Sequence, residues 1–302
     1  MLAIRNKERC VLGTAGLGGV WGEVDPQESV DTILTALEAG IHAIDTAPAY
    51  GDAEMYVGEA LRLWPGKRPQ LSTKVGRLKS YAADEGRYDY SLAGMQRSVE
   101  QSLETLGVSQ LDILFLHDPD AINPAEIENV IGSLQTFKVK GYTCKIGIGG
   151  NPPKWLLPYL KPELFGVLME FNKLNACSAV ALEEDLPFCI NNNISYFAAS
   201  PLNMGLLGSN YETFTTNRPA WLDIKFVDAA VNMKSIADKY GIALHSLAHR
   251  FLLSIPQLFY IVIGASNRQQ LNETLEDFNN GALPHNIFLE IMTNLNKKEL
   301  HA

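Results

Sequence analysis

Short apolar runs alternate with longer amphipathic segments along nearly the whole chain. The run LDILFLH, residues 111–117, is almost wholly apolar, as expected for a strand that is buried on both faces of a parallel sheet. Between such runs, apolar residues recur at helical spacing, as Val30, Ile33 and Leu37 do. The pattern predicts eight strands, at residues 11–14, 41–45, 71–74, 111–117, 144–148, 166–170, 194–199 and 259–263.

Helices are predicted between the strands from the same spacing and from their end signals. Asp25 followed by Pro26 is a typical helix start, and Gly40 is a typical helix end. In the second helix we expect Met55 and Val57 to face inward. The predicted helices cover residues 25–40, 54–63, 91–107, 124–140, 152–160, 179–191, 228–240, 244–253 and 269–279, with an extra terminal helix from residue 284.

Eight strands that alternate with helices predict an α/β fold, a (β/α)8 TIM barrel with an extra C-terminal helix. The length of 302 residues suits one large barrel, so we expect a single domain over residues 1–302. The alternative is an open doubly wound sheet. It is less favoured because the alternation never pauses for a second domain.

The composition narrows the class of protein. The net charge is −9 without a long Lys/Arg cluster, which argues against nucleic acid, because phosphate binding needs a basic face. The N-terminal segment lacks an apolar signal core, and no apolar run reaches the ~18–20 residues of a membrane helix. We therefore expect a soluble cytoplasmic protein, and either a monomer or a homodimer is compatible with the sequence.

The chain has four cysteines, and none has CxxC or zinc-ligand spacing. We expect Cys10, Cys144, Cys177 and Cys189 to be reduced and mostly buried. The sequence indicates no metal site.

Three consecutive predicted strands each end in an ionisable residue, namely Asp45, Lys74 and His117. Tyr50 follows Asp45 in the loop of the segment AIDTAPAYG. Singly, such residues are usually helix caps, solvated charges or structural histidines. Because strand C-termini surround one mouth of a barrel, we expect the four side chains to converge there.

This set of residue types suits proton transfer to or from an oxygen while hydride moves on the adjacent carbon. A lysine ammonium beside a tyrosine is expected to lower the phenol pKa from its reference value of ~10. A carboxylate holds the lysine charged, and a histidine orients a carbonyl or hydroxyl by hydrogen bonding.

The segment GTAGLGGVWG, residues 13–22, is rich in glycine but lacks the GxGxxG fingerprint. It is either a tight turn or a close approach of the backbone to a ligand, and we favour the second interpretation.

The order Asp45, Tyr50, Lys74, His117 resembles the aldo-keto reductase superfamily, and the resemblance runs from GTAGLGG to IVIGASNRQQL. It implies that Tyr50 is the general acid in reduction and the base in oxidation. Lys74 would tune Tyr50, Asp45 would hold Lys74, and His117 would orient the substrate oxygen.

The resemblance also implies a nicotinamide cofactor, NAD(P)(H), held by the loops after strands seven and eight. Gly264, Ala265 and Gln270 stand where many NADPH-dependent members have Lys, Ser and Arg, and Arg268 is the local cation that remains. We therefore favour NAD slightly over NADP. The implied contacts are Asn172, Ser200, Leu202, Met204, Gly205, Gly264, Ala265, Ser266, Arg268, Gln270 and Thr274.

The segments IGIGGNPPKWL, AASPLNMGLL and HDPD resemble the sugar-dehydrogenase branch of the superfamily, which implies oxidation of an aldose at C1 to its lactone. Asp118 would bind sugar hydroxyls and Trp21 would stack on the sugar. Solvated or packed side chains are the alternative for both. An NADPH-dependent reductase of small aldehydes or ketones is the second hypothesis, and a nicotinamide-binding regulatory protein without turnover is the third.

Overall fold

The computed structural model describes residues 6–82, 84–257 and 259–299, and its centre is a closed parallel barrel. The strands pair in chain order from β1 to β8, and β8 pairs with β1. This confirms the predicted (β/α)8 barrel. The strands are β1 Cys10–Gly13, β2 Ala43–Asp45, β3 Gln70–Val75, β4 Leu111–His117, β5 Thr143–Gly149, β6 Val167–Phe171, β7 Ser195–Ala199 and β8 Tyr260–Gly264.

Helices surround the barrel, and a further helix ends the described chain as predicted. Their end signals act as expected, since Asp25 accepts a hydrogen bond from the backbone N–H of Glu28 at 2.9 Å. The helices are α1 Pro26–Glu38, α2 Ala53–Leu63, α3 Leu92–Leu106, α4 Ile127–Val139, α5 Asp185–Asn191, α6 Tyr211–Thr216, α7 Ile224–Tyr240, α8 Leu244–Ser254, α9 Arg268–Asn280 and α10 His285–Glu299.

The apolar core has two layers because successive strand side chains point to opposite faces. The larger layer packs between the strands and the helices. The smaller layer fills the barrel interior and consists of Val11, Phe115, Val167, Met169, Phe197 and Val262. The face of β4 that carries Phe115 inward also carries His117 inward, at the strand's C-terminal end.

One local prediction was wrong. Met55 is 47% exposed, whereas Glu54 is buried against Thr73 on β3. The buried face of α2 includes Ala53 and Val57, so Met55 lies on the opposite side of the helix. Between β5 and β6 the predicted short helix is a 3-10 helix, Lys154–Tyr159, with Pro158 inside it.

Cys10, Cys177 and Cys189 are buried and Cys144 is exposed, and all four are free thiols, as predicted. Across residues 6–82, 84–257 and 259–299, no helix is long and apolar enough to cross a membrane.

Candidate active site

Adjacent strand ends bring the predicted ionisable side chains together at one mouth of the barrel. Lys74 on β3 and Asp45 on β2 form a buried ion pair, with 2.5 Å between Lys74 Nζ and Asp45 Oδ2. Lys74 Nζ also donates to the backbone carbonyl of Thr46 at 2.9 Å. The Lys74 side chain is only 2% exposed, so its charge is held entirely by protein groups.

Tyr50 lies against this pair, in the turn that follows β2. Lys74 Nζ is 4.6 Å from the centre of the Tyr50 ring. The His117 ring meets the Tyr50 ring edge-on, with 5.8 Å between their centres. The four residues predicted to converge therefore do lie together, on three strand ends and one turn.

Burial and charge shift the pKa values of these groups in different directions. Burial acts to lower the pKa of Lys74, but the charges of Asp45 and Tyr50 outweigh it and raise that pKa. Burial raises the pKa of Tyr50, and the Lys74 charge lowers it without cancelling the effect. Lys74 therefore acts on the Tyr50 pKa in the expected direction, but burial outweighs it and leaves the pKa above its ordinary value.

His117 is a neutral imidazole in this site. Burial, together with the positive charges of Lys74 and Arg77, lowers the pKa of His117 well below its ordinary value. His117 Nδ1 is buried and has no hydrogen-bond partner among the described residues. A neutral imidazole offers one donor and one acceptor nitrogen, which suits the orientation of a substrate oxygen.

Ser72 is a supporting residue that the sequence analysis missed. Its hydroxyl donates to Asp45 Oδ1 at 2.7 Å, so both carboxylate oxygens of Asp45 are engaged. Ser72 lies two residues before Lys74 on β3 and therefore on the same face of the strand. A polar residue at that spacing was the available signal.

The glycine-rich segment after β1 packs against the turn that contains Tyr50 and Gly51. A Cβ at Gly18 would lie 1.8 Å from the carbonyl oxygen of Tyr50, and one at Gly51 would lie 2.0 Å from that of Gly18. On the same segment, a Cβ at Gly16 would lie 2.9 Å from the carbonyl oxygen of Ala265. The close backbone approach is thus to the protein's own chain, so the interpretation as a ligand approach is wrong for these positions.

The loop after β7 is built from unusual backbone conformations. Ser200, Met204 and Gly205 have φ values of 59°, 58° and 92°. Asn203, which the sequence analysis did not select, has a φ of 49°, and both polar side-chain atoms are buried without a partner in the described chain. The partly buried Leu202 packs on the core beneath this loop. The loop therefore presents polar groups that its own chain leaves unsatisfied.

Asn172 follows β6 and has a φ of 56°. Its Oδ1 is buried without a hydrogen-bond partner among the described residues. Asn175, nearby in the chain, donates from Nδ2 to the Ser200 carbonyl at 3.2 Å and so links this turn to the loop after β7.

The loop after β8 leads into the N-terminus of α9. Gly264 faces open space, and Ser266 N–H donates to the side chain of Gln270 at 3.0 Å. Arg268 is held by Glu28 of α1, because Nη2 and Nε both donate to Oε2, at 2.7 and 3.0 Å, and the Arg268 backbone N–H donates to Oε1 at 2.9 Å. Thr274 is buried inside α9, and its hydroxyl donates to the Gln270 carbonyl.

The sequence profile of the aldo/keto reductase family matches residues 9–292 of this chain. The chain belongs to the aldo/keto reductase family. It is therefore an NAD(P)-dependent oxidoreductase, and its relatives are named both dehydrogenases and reductases.

Three comparisons show the range of this similarity. The chain is 26% identical over 292 residues to D-threo-aldose 1-dehydrogenase of Pseudomonas sp, with 87% of each chain covered. It is 28% identical over 296 residues to NADH-specific methylglyoxal reductase of Escherichia coli (strain K12), with 90% of each covered. A glycerol dehydrogenase structure from Gluconobacter oxydans matches with a TM-score of 0.76 at 25% identity, covering 96% of this chain and 91% of that one.

In this aldo/keto reductase, the loop of residues 76–91 is tied to two sides of the barrel mouth. Arg77 donates to Asp118 Oδ2 at 3.0 Å, and the Tyr88 hydroxyl donates to the same oxygen at 3.3 Å. At the other side, Lys79 and Tyr81 both donate to Asp52 Oδ1, at 2.6 and 2.9 Å. The contacts with Asp118 hold the loop beside His117, and those with Asp52 hold it beside Tyr50.

The two residues selected for sugar contacts differ in their surroundings. Asp118 directly follows His117, and its carboxylate is already engaged by Arg77 and Tyr88. Trp21 is 51% exposed in the loop after β1. Trp21 is therefore the more accessible of the two.

The loops of this aldo/keto reductase fit a nicotinamide dinucleotide. Asn172 offers a buried amide oxygen, and Asn203 a whole buried amide, and neither has a hydrogen-bond partner among the described residues, as a polar ligand requires. The N-terminus of α9 offers the positive end of a helix dipole, which favours a pyrophosphate. The backbone N–H groups of Ser266, Arg268 and Gln270 already donate to side chains of Gln270, Glu28 and Asn267.

Proposed function

We propose that this enzyme oxidises an aldose at C1 to its lactone, with NAD as the favoured cofactor. The main support for this chemistry is the arrangement around Tyr50. The buried Lys74–Asp45 pair lies against the Tyr50 ring, and the neutral His117 ring meets the same ring edge-on. The similarity to D-threo-aldose 1-dehydrogenase supports the aldose as the substrate class.

In the oxidation, Tyr50 takes the proton of the C1 hydroxyl as general base. NAD(P) supplies the two-electron chemistry by accepting the hydride of C1 when it is bound. Lys74 stabilises the Tyr50 phenolate, and Asp45 keeps Lys74 charged. His117 orients the C1 oxygen through a ring nitrogen, and being neutral it does not compete with Lys74 for the phenolate.

The cofactor would be held by the loops after β6, β7 and β8. Asn172 would bind the carboxamide, and the segment from Ser200 to Gly205 and the start of α9 would hold the phosphates. The residues proposed for this role are Asn172, Ser200, Leu202, Met204, Gly205, Gly264, Ala265, Ser266, Arg268 and Gln270. Thr274 would contribute only by stabilising α9, because its side chain is buried there and its hydroxyl donates to the Gln270 carbonyl.

The preference for NAD over NADP rests on the surroundings of Arg268. Its guanidinium is paired with Glu28, and Asp31 Oδ2 lies 3.5 Å from Nη1. A 2′-phosphate placed near Arg268 would meet two carboxylates that already neutralise the cation, and like charges repel.

The test is the absorbance of the reduced nicotinamide during incubation with a panel of aldoses and either NAD or NADP. We expect sugar-dependent reduction of NAD, and we expect Tyr50→Phe to lower its rate about 10³-fold, because the general base is lost. Cofactor affinity, followed by quenching of protein fluorescence, should change little. Tyr142→Phe removes a distant surface hydroxyl, bonded to Glu100, and is the matched control. No turnover with any aldose, or full turnover in Tyr50→Phe, would contradict the proposal.

A second candidate is the reduction of a small aldehyde by NADH, with Tyr50 as the general acid. It is favoured by the similarity to NADH-specific methylglyoxal reductase, which covers 90% of this chain. Loss of NADH absorbance with methylglyoxal, together with no response to any aldose, would select this function instead. Cofactor binding without turnover in either direction would select a regulatory protein.

A further inference from the structure

Two histidines and one aspartate meet between α8 and α9, on the outside of the barrel. His245 and His249 lie four residues apart on α8 and so share one helix face. Each Nδ1 lies against the same oxygen, Oδ2 of Asp277 on α9, at 3.0 Å for His245 and 2.8 Å for His249. His249 and Asp277 are buried, and the side chain of His245 is 31% exposed.

We propose that His245, His249 and Asp277 form a binding site for one divalent transition-metal ion, of which Zn²⁺ is the reference case. The ion would join α8 to α9. The site is separate from the proposed active site and does not depend on the oxidoreductase chemistry. Among the described residues this is the one group of three such side chains with converging ligand atoms, and these atoms all lie within 4.8 Å of one another.

The distances are close to those that an ion requires. Zinc bonds of about 2.0–2.1 Å in tetrahedral geometry place neighbouring ligand atoms about 3.3 Å apart. The two Nδ1–Oδ2 distances are 3.0 and 2.8 Å, so they need to open by only a few tenths of an ångström. The third distance, between the ligand nitrogens of the two histidines, is at most 4.8 Å. The side chain of His245 is 31% exposed, so this edge of the group meets solvent.

The donor types select the class of ion. Two imidazole nitrogens and one carboxylate oxygen suit Zn²⁺, Ni²⁺, Co²⁺ and Cu²⁺, whereas Ca²⁺ and Mg²⁺ take oxygen ligands. The local charge is favourable, since Glu273 and Glu276 on α9 lie near His245 in addition to Asp277. Asp277 Oδ2 accepts from both histidine rings, so the carboxylate lies at the centre of the group.

The hydrogen bonds that orient the ligand side chains determine how tightly we expect the ion to bind. His249 Nε2 is buried without a partner among the described residues, so it lacks the acceptor that usually orients a metal-bound imidazole. Such support typically contributes 10–100-fold in affinity. We therefore expect a micromolar site. No metal site was predicted from the sequence. The spacing of His245 and His249 was visible there, but the third ligand, Asp277, lies 28 residues from His249.

The test is calorimetric titration of ZnCl2 into the untagged full-length chain after removal of metals with EDTA. Cys144→Ser is measured alongside, because this exposed thiol is a competing zinc ligand. We expect one ion per chain in both proteins. At 100 times the dissociation constant, zinc should raise the melting temperature by roughly 5 °C.

His245→Ala is the decisive variant, because its partly exposed ring can be removed with little effect on packing, which circular dichroism checks. We expect at least a tenfold loss of zinc affinity. His285→Ala removes an exposed histidine at the start of α10 and should bind zinc as the wild type does. No binding up to about 100 µM zinc, or equal affinity in His245→Ala, would overturn the proposal. Equal binding of Mg²⁺ would overturn the assigned class of ion.

Discussion

At the scale of single residues, the charge on Lys74 acts directly on the titration of Tyr50. Burial raises the pKa of Tyr50, and Lys74 is the first of the groups that lower it. The lysine can do this because Asp45 and the Thr46 carbonyl hold its ammonium in a dry site. An uncompensated ammonium there would be expensive, which is why the ion pair and the tyrosine form one unit.

Lys74→Met tests this dependence. With the ammonium removed, the pKa of Tyr50 is expected to rise further, so less phenolate is present at any given pH. We expect the oxidation rate at pH 8 to fall at least tenfold, and the rise of kcat/KM with pH to move to higher pH. The pH–rate profile of the folded variant is the measurement, with folding checked by circular dichroism. An unchanged profile would show that Lys74 does not tune Tyr50.

Single residues also mark the limit of what the sequence predicts about the site. Asp45, Tyr50, Lys74 and His117 were found because each occupies a strand end or the turn after one. Ser72 was missed because its role depends on a contact with Asp45 across 27 residues of chain. The Arg268–Glu28 pair spans 240 residues, and no local pattern indicates that α1 meets the start of α9.

At the scale of elements, the hydrophobic pattern and the end signals located the long strands and helices, although α7 begins at Ile224, four residues before its predicted start. β4 was predicted without error, and α3 ends at Gly107 with a φ of 69°, as its sequence indicated. The short helix α6 was missed because YETFTT has no apolar stripe and three β-branched threonines. The segment 179–191 splits into a 3-10 helix, Val180–Leu182, and α5.

The contact between α1 and the start of α9 determines cofactor choice in our proposal, and Glu28→Gln tests it. The change frees Arg268 from its carboxylate partner, so a 2′-phosphate gains a cation. We expect the affinity for NADP relative to NAD to rise roughly 3–10-fold, measured by quenching of protein fluorescence. Asp31→Asn should act in the same direction but less, because its oxygen lies farther from Arg268.

Glu128→Gln is the control for net charge, since Glu128 is exposed on α4, a different helix from α1 and α9. An NADP/NAD ratio that does not change in Glu28→Gln, or that changes equally in Glu128→Gln, would contradict the proposed role of this contact.

At the scale of the whole molecule, one buried carboxyl couples folding to pH. Glu170 accepts a hydrogen bond from the Tyr196 hydroxyl at 3.0 Å between β6 and β7. Burial, and then the charge of Asp185, raise the pKa of Glu170 from 4.5 to about 7. A raised pKa means that the folded protein binds the proton more tightly. The stability that protonated Glu170 contributes to the folded protein is therefore complete below pH 4.5 and is lost as the pH rises through about 7.

Glu170→Gln removes this titration while keeping the side-chain volume. We expect the free energy of unfolding of the wild type, relative to the variant, to decrease by up to about 3 kcal/mol between pH 4.5 and 7. Urea unfolding at a series of pH values measures it, with Glu128→Gln as the exposed control. A constant difference between wild type and Glu170→Gln over this range would show that Glu170 ionises normally.

The packing of the glycine-rich segment has a consequence for how the protein tolerates substitution. Gly18 abuts the Tyr50 carbonyl, and Gly16 abuts Ala265 in the loop after β8. A side chain at Gly18 would displace the Tyr50 carbonyl, and one at Gly16 would displace Ala265. Neither glycine is itself one of the proposed site residues. In a selection of random variants for enzyme activity, these two glycines should accept as few replacements as Tyr50 does.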